Sequence, residues 1–284
     1  MNRDPSVTRY TAGRLSPRRR AADLRRLRSY RFDVLIIGGG VTGAGAAVDA
    51  AARGLSVALV EAGDLACGTS SRSSKLIHGG LRYLEQLEFG LVREALRERG
   101  RLATRLAPHL VRPVPILVPL PAGPLPVRAA RRLYFGAGLA LYDGFAGLVA
   151  GVGPAAAGGA DGGLATPGRG MPAHRHLSRA GAHRYFPSLR EDAVAGAIRY
   201  YDGQVDDARF VATLARTAAS LGAAIVPYAR VVQLVRNARE VTGAVIRDES
   251  SGELITVSAR TVVAATGVWS EEISNLVGEA RPGL

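Results

Sequence analysis

Six residues, Gly38-Gly39-Gly40-Val41-Thr42-Gly43, constrain this chain more than any other stretch, because of what flanks them. Before them runs Phe32-Asp33-Val34-Leu35-Ile36-Ile37, the continuous apolar run expected of a buried parallel strand. After them Val41 to Arg53 is Ala-rich and reads as a helix, with Gly54 as its C-terminal stop. Ser56-Val57-Ala58-Leu59-Val60 reads as a second strand and ends at Glu61. Strand, glycine turn, helix and strand in that order make a βαβ unit, so the fold class is α/β with a Rossmann-like domain.

The spacing G-x-G-x-x-G gives each glycine a task. Gly38 permits the tight turn, Gly40 lets a pyrophosphate approach the backbone, and Gly43 lets helix and strand pack closely. The helix N-terminus offers free N–H groups and the positive end of a dipole to the phosphates. Glu61 is placed to accept hydrogen bonds from ribose hydroxyls, and its charge disfavours a 2′-phosphate and hence NADP. The motif alone does not separate FAD from NAD.

Further along, Glu88 to Ala107 has a helical apolar face and stops at Pro108. Prolines then punctuate the chain from Pro113 to Pro126, followed by an apolar segment, Arg128 to Val149, with a basic start. Gly151 to Gly170 reads as a Gly/Ala-rich loop. Asp207 to Leu221 is a second amphipathic helix, with Asp207 as cap or first-turn acid rather than half of a catalytic pair with Asp206. Strand-like runs follow at Val231 to Val235, Val241 to Arg247, Leu254 to Val257 and Thr261 to Gly267.

The formal net charge of +13 comes from 37 Lys+Arg against 24 Asp+Glu. Much of the excess lies in residues 1–30, read as a disordered basic arm, so the charge does not point to a nucleic-acid partner for the folded part. Cys67 is the single cysteine, which excludes an intrachain disulfide and reads as a small residue beside Gly68 rather than a reactive thiol. No apolar run has the length of a membrane span, and the arm lacks the apolar stretch of a secretory signal. His109 reads as a helix-end residue, and His174, His176 and His183 lack metal-ligand spacing, so no metal is expected.

The segment Leu65-Ala66-Cys67-Gly68-Thr69-Ser70-Ser71-Arg72-Ser73-Ser74-Lys75-Leu76-Ile77-His78-Gly79-Gly80-Leu81-Arg82-Tyr83-Leu84 closely resembles the second flavin-contact segment of FAD-dependent glycerol-3-phosphate dehydrogenases. Three more strings fall in that family's order: Pro108-His109-Leu110; Tyr201-Asp202-Gly203 with Asp206-Asp207-Ala208-Arg209; and Ala265-Thr266-Gly267. The resemblance implies FAD as cofactor, with Gly38, Gly40, Gly43 and Glu61 on its adenosine and pyrophosphate. It puts Thr69, Ser70, Ser71, Ser74, Lys75, Leu76 and His78 near the pyrophosphate and flavin, Val231 or Val232 at the adenine, and Gly267 in the Ala-Thr-Gly turn. It puts Arg82 near the substrate phosphate with Tyr83 beside it; the bland reading of Arg82 is an ion pair with Glu85 or Glu88. No catalytic acid or base is assigned.

The implied organisation is a basic arm (1–30), a first part of the FAD domain (31–112), an interrupting cap or substrate region (113–199) and the remainder of the FAD domain (200–284). Family members continue well beyond the Ala-Thr-Gly turn, so the resemblance covers their N-terminal FAD-binding portion. The implied activity is oxidation of glycerol 3-phosphate to dihydroxyacetone phosphate, with electrons passed to quinone. Alternatives of other classes are a different FAD-dependent amine or hydroxy-acid oxidase, or a non-catalytic FAD-binding fragment. Arg128, Arg131 and Arg132 share a helical face beside Leu133, Tyr134, Phe135, Leu139 and Leu141, a pattern for either a core helix or a membrane-surface helix. The resemblance favours attachment, and the location expected is cytoplasmic, at the inner face of the cell membrane if that helix attaches.

Overall fold

A computed structural model describes residues 13–150, 171–190, 192–238 and 240–277. The expected Gly151–Gly170 loop therefore lies outside the described residues. The first elements are α1 (Pro17–Ser29), β1 (Arg31–Ile37), α2 (Val41–Ala52), β2 (Val57–Val60), β3 (Leu76–Ile77) and α3 (Leu81–Glu85). Then come α4 (Phe89–Arg101), β4 (Arg112–Pro121), α5 (Leu125–Ala150), β5 (Arg175–Ser178) and α6 (Arg179–Tyr185). The last are β6 (Val194–Gln204), α7 (Asp207–Ser220), β7 (Ala224–Val226), β8 (Ala229–Arg236), β9 (Val241–Asp248), β10 (Leu254–Ala264) and α8 (Ser270–Val277). Two compact units result, Met1–Ser74 with Asp206–Leu284, and Lys75–Val205.

The first unit is built on a six-stranded sheet in the order β7-β2-β1-β10-β9-β8. β7, β2, β1 and β10 run parallel, and β9 and β8 add an antiparallel ribbon. The runs Leu254 to Val257 and Thr261 to Gly267, expected as separate strands, are one strand: its first half pairs with β9 and its second half with β1. α2 and α7 cover one face through Ala47, Ala51, Ala215 and Ala218 against Ile36, Val57 and Leu59. Small side chains on both helices let them lie close to each other and to the sheet. Asp206 caps α7, its carboxylate accepting from the Arg209 N–H at 3.1 Å, and Asp207 is the first-turn acid.

The opposite face corrects the reading of residues 1–30 as disordered. Residues 17–29 form α1, capped by Ser16 with Pro17 in its first turn. Leu24 and Leu27, three residues apart, join the core cluster of Phe32, Leu35, Ala58, Ala224 and Ile246. Its arginines bind the folded domain: Arg19, paired within the helix with Asp23, donates to the carbonyls of Ala219 and Ala223, and Arg20 pairs with Asp248 at 2.6 Å. The high arginine density obscured a two-leucine stripe and a Ser-Pro cap, both of which are in the sequence.

The second unit is wider than the expected 113–199 region, because β3 pairs with the end of β6 and α3 and α4 pack on the same sheet. β6 is flanked by β4 on one side and by β3 and β5 on the other. The prolines read as punctuation sit inside β4, at 113, 115, 119 and 121. That alternation leaves the even-numbered N–H groups for β6 and leaves Leu117 as the one odd-numbered donor of β4, which disfavours a further strand on the outer edge. Ile198 and Tyr200 of β6, Leu120 of β4, Leu84 of α3, Val92 and Leu96 of α4, and Leu139 and Tyr142 of α5 form the core. The expected helix from Glu88 to Ala107 is α4 continued by a π-helical turn, Leu102–Leu106.

Candidate functional site

The turn between β1 and α2 needs glycine for two distinct reasons. Gly38 has a φ of +114°, and a Cβ there would lie 2.4 Å from the Ala265 carbonyl oxygen. A Cβ on Gly43 would lie 1.9 Å from the Gly38 carbonyl oxygen, so helix and strand could not close to this distance with any side chain present. Beside Gly40 the nearest atom a Cβ would meet is Ser70 Oγ, at 3.1 Å. The first-turn N–H groups of α2 have no intrahelical acceptors. One of them, on Val41, donates to Ser70 Oγ at 2.9 Å.

Glu61, at the end of β2, reaches back under this turn. One carboxylate oxygen accepts the Gly39 N–H at 2.6 Å, and the other accepts the Gly63 N–H at 2.8 Å and the Cys67 thiol at 3.7 Å. A carboxylate offers about four lone-pair sites, so these three bonds leave room for about one more donor, such as a ribose hydroxyl. Burial, and then the neighbouring Glu61 carboxylate, push the Cys67 thiol above its ordinary pKa, which keeps it a protonated donor rather than a nucleophile.

Other residues expected at the site fall around this loop. Thr69, Ser70 and Ser71 form a single 3-10 turn, with Ser71 Oγ donating to the Gly68 carbonyl at 3.3 Å. Gly267, with φ +58°, opens a second 3-10 turn directly after Ala265 and Thr266. The Thr266 hydroxyl, beside the glycine turn, is buried and has no hydrogen-bond partner among the described residues. Val232, expected at the adenine, lies at a bulge of β8: Val231 pairs with Ile246 and Gln233 with Val245, so the register skips Val232. Ser74 is exposed in the same unit. Sequence reasoning passed over Trp269, the only tryptophan, whose ring lies 2.6 Å from where a Cβ on Gly68 would be.

The remaining expected site residues belong to the second unit. Lys75 has φ +59°, Leu76 lies in β3, and His78 is exposed on the segment leading to α3. Arg82 and Tyr83 are exposed on α3, with Gly80 at its start in a left-handed conformation, φ +75°. The ion pair of Arg82 with Glu85 or Glu88 does not form among the described residues; Glu85 accepts instead from the Tyr134 hydroxyl at 3.3 Å.

A glycine cradle, a helix N-terminus and a carboxylate at the second strand suit the adenosine diphosphate part of a dinucleotide. Residues 33–283 match the family described as FAD dependent oxidoreductase. The chain is 50% identical over 267 residues to glycerol-3-phosphate dehydrogenase 2 of Mycobacterium tuberculosis, covering 94% of this chain and 41% of that protein. It is similar to the solved structure of the Bacillus halodurans glycerol-3-phosphate dehydrogenase complexed with FAD (TM-score 0.61, 25% identity, 90% of this chain, 38% of that one). Glycine oxidase from Geobacillus kaustophilus is also similar, with TM-score 0.52, 25% identity, and 89% and 60% coverage. The chain thus spans less than half the length of the curated relatives it matches. With the family match running from the first strand past the last, this chain belongs to the FAD-dependent oxidoreductases.

Proposed function

We propose that this chain supplies the FAD-binding part of an enzyme that oxidises glycerol 3-phosphate to dihydroxyacetone phosphate and passes the electrons to quinone. The carrying observation is the likeness, at 50% identity, to a protein named for that activity, running through the segment that bears Arg82 and Tyr83. When bound, FAD would accept the hydride from C2 of the substrate. The chain's part is to bind and orient. Gly38, Gly40, Gly43 and the α2 N-terminus would hold the pyrophosphate, Glu61 the ribose, and Val232 the adenine. Thr69, Ser70, Ser71, Ser74, Lys75, Leu76, His78 and Gly267 would line the rest of the cofactor. Arg82, exposed and without an ion pair among the described residues, would fork the substrate phosphate, with Tyr83 beside it.

Arg82→Lys keeps the charge and loses the fork. In the holoenzyme, KM for glycerol 3-phosphate should rise more than kcat falls, with flavin content unchanged and residual activity on glycerol unaffected. Equal loss on both substrates would show that Arg82 is structural. Bleaching of the flavin by glycine or a hydroxy acid instead of glycerol 3-phosphate would move the reading to an amine or hydroxy-acid oxidase.

The start of α5 fits a membrane surface better than the rest of it. No described helix is long and apolar enough to cross a membrane. Leu125, Leu133 and Tyr134 are exposed among Arg128, Arg131 and Arg132, whereas Leu139 is buried, Phe135 half-buried and Leu141 exposed, so the exposed apolar residues gather mainly at the start of the helix. Attachment at the inner face of the cell membrane follows from this reading. Flotation with anionic liposomes should be lost when all three arginines become Glu; equal recovery would remove the attachment.

A further inference from the structure

Three buried polar side chains of the second unit meet at one atom. Arg99 Nη1 donates to Asp202 Oδ1 at 2.5 Å, and the Tyr142 hydroxyl donates to the same oxygen at 2.7 Å. The guanidinium and the carboxylate are 3% and 5% exposed, and Tyr142 is 1% exposed. Arg99 comes from α4, Tyr142 from α5 and Asp202 from β6, so the cluster ties three elements distant in sequence.

The Tyr142 hydroxyl also accepts two bonds, from Arg99 Nη1 at 2.9 Å and from the backbone N–H of Gly79 at 2.8 Å. Both partners are obligate donors, so the phenolic hydrogen has one place to go, onto Asp202. One donor and two acceptor positions are all that a phenol has, and all three are used. Burial pushes the Tyr142 phenol far above its ordinary pKa, with Arg99 opposing and Asp202 adding, so the hydroxyl keeps its hydrogen. Gly79 N–H lies 3.3 Å from Asp202 Oδ1 as well. A Cβ on Gly79 would lie 2.3 Å from the Tyr142 oxygen and 2.3 Å from Leu96 Cδ2, so only glycine fits.

What the cluster holds lies next to the candidate substrate residues. Gly80 follows, left-handed, and its carbonyl accepts the Tyr83 N–H at 2.8 Å. A Cβ on Gly80 would lie 2.6 Å from Tyr83 Cδ2. Leu84, one turn on, is buried against Leu96 and Tyr142. The backbone entering α3 is thus fixed at Gly79 by polar bonds and at Leu84 by packing, and Arg82 and Tyr83 project from the turn between those anchors. A buried Arg–Asp pair is weak evidence for net stability, because desolvation offsets its attraction; here its bonds and those of Tyr142 converge on the Gly79 amide.

We propose that Arg99, Tyr142 and Asp202 are positioning residues that hold the Gly79 amide so that Arg82 and Tyr83 are presented to the phosphate of the substrate. This rests on the reading of Arg82 given above.

The test is a double-variant cycle in the holoenzyme with hydrogen exchange read on the same proteins. Tyr142→Phe removes the shared oxygen and keeps the ring. Exchange in the peptide containing Gly79 to Leu84 should speed up by about tenfold or more, in step with loss of a buried hydrogen bond. KM for glycerol 3-phosphate should rise about tenfold while kcat changes less than about twofold, and flavin content should hold. With Arg82→Lys added, KM should rise no further than Arg82→Lys alone takes it, because Tyr142 acts through Arg82. Effects that multiply, unchanged exchange, or faster exchange with an unchanged KM would each overturn the proposal. An unchanged KM for Arg82→Lys itself would defeat the reading of the phosphate site, while the exchange result still tells whether the clasp holds Gly79. Should Tyr142→Phe not fold, Asp202→Asn, which keeps an acceptor oxygen, goes through the same cycle.

Discussion

Each unit has a pair of glycines whose backbone is held by an acidic side chain, and the two arrangements differ in one respect. Under Gly38-Gly39 the carboxylate of Glu61 is half-buried, has no cation paired with it among the described residues, and accepts from two amides and a thiol. Under Gly79-Gly80 the carboxylate of Asp202 is buried and has Arg99 at 2.5 Å. Burial decides the difference. A carboxylate near water tolerates its charge and keeps lone pairs for a ligand, whereas one removed from water needs a counter-charge and can then only hold the protein. Asp23 obeys the same rule: it is fully buried, and both Arg19 and Arg26 are paired with it.

The largest effects should come from breaking the closed pairs. Asp202→Ala or Asp23→Ala leaves a guanidinium short of its counter-charge, at a cost of about 3–5 kcal/mol in denaturant unfolding. The two should part in hydrogen exchange: Asp202→Ala frees the Gly79 amide, and Asp23→Ala frees α1 and leaves Gly79 protected. A cost below about 1 kcal/mol for either would mean that the pair is wetter than its burial implies.

The open carboxylate should give a smaller effect, and on binding. Glu61→Ala should weaken FAD affinity by about 1–3 kcal/mol, the range for hydrogen bonds to a charged group. Flavin dissociation followed by fluorescence checks this, and an unchanged constant would leave Glu61 as a brace for Gly39 alone.

The smallest effect is on acid stability, where two buried carboxylates of the first unit act in opposite senses. Burial raises Asp23 above the ordinary 3.8, more than Arg19 and Arg26 lower it. The folded state then holds that proton to higher pH than the unfolded chain, so this contribution to stability falls as pH rises from 3.8 through the folded value. Burial also raises Asp248, but hydrogen bonds from Arg20, the Ser250 amide and Ser251 outweigh it and the net shift is downward. Its contribution is complete above 3.8 and is lost as pH falls through the lower folded value. Unfolding midpoints between about pH 5 and 3 should therefore drop more steeply for Asp23→Asn and less steeply for Asp248→Asn than for the unaltered protein. Matching slopes in all three would contradict both directions.

The sequence by itself determined the βαβ unit, the glycine turn, Glu61 at its place and Asp207 in the first turn of α7, though not Asp206 as its cap, because each depends on neighbours within a few residues or on a repeating pattern. It determined α1 as well, through Ser16-Pro17 and the Leu24/Leu27 spacing, although charge density hid that helix from a reading by composition. Only the tertiary structure decided that Leu254 to Ala264 is one strand serving two pairings, that the β4 prolines guard an edge, and that Val232 is skipped by its partner strand. Only there do Arg99, Tyr142 and Asp202 meet, from three elements whose separation in sequence exceeds any periodicity. A hydrogen bond is made at about 3 Å and depends on where chains return to one another, which local pattern does not encode.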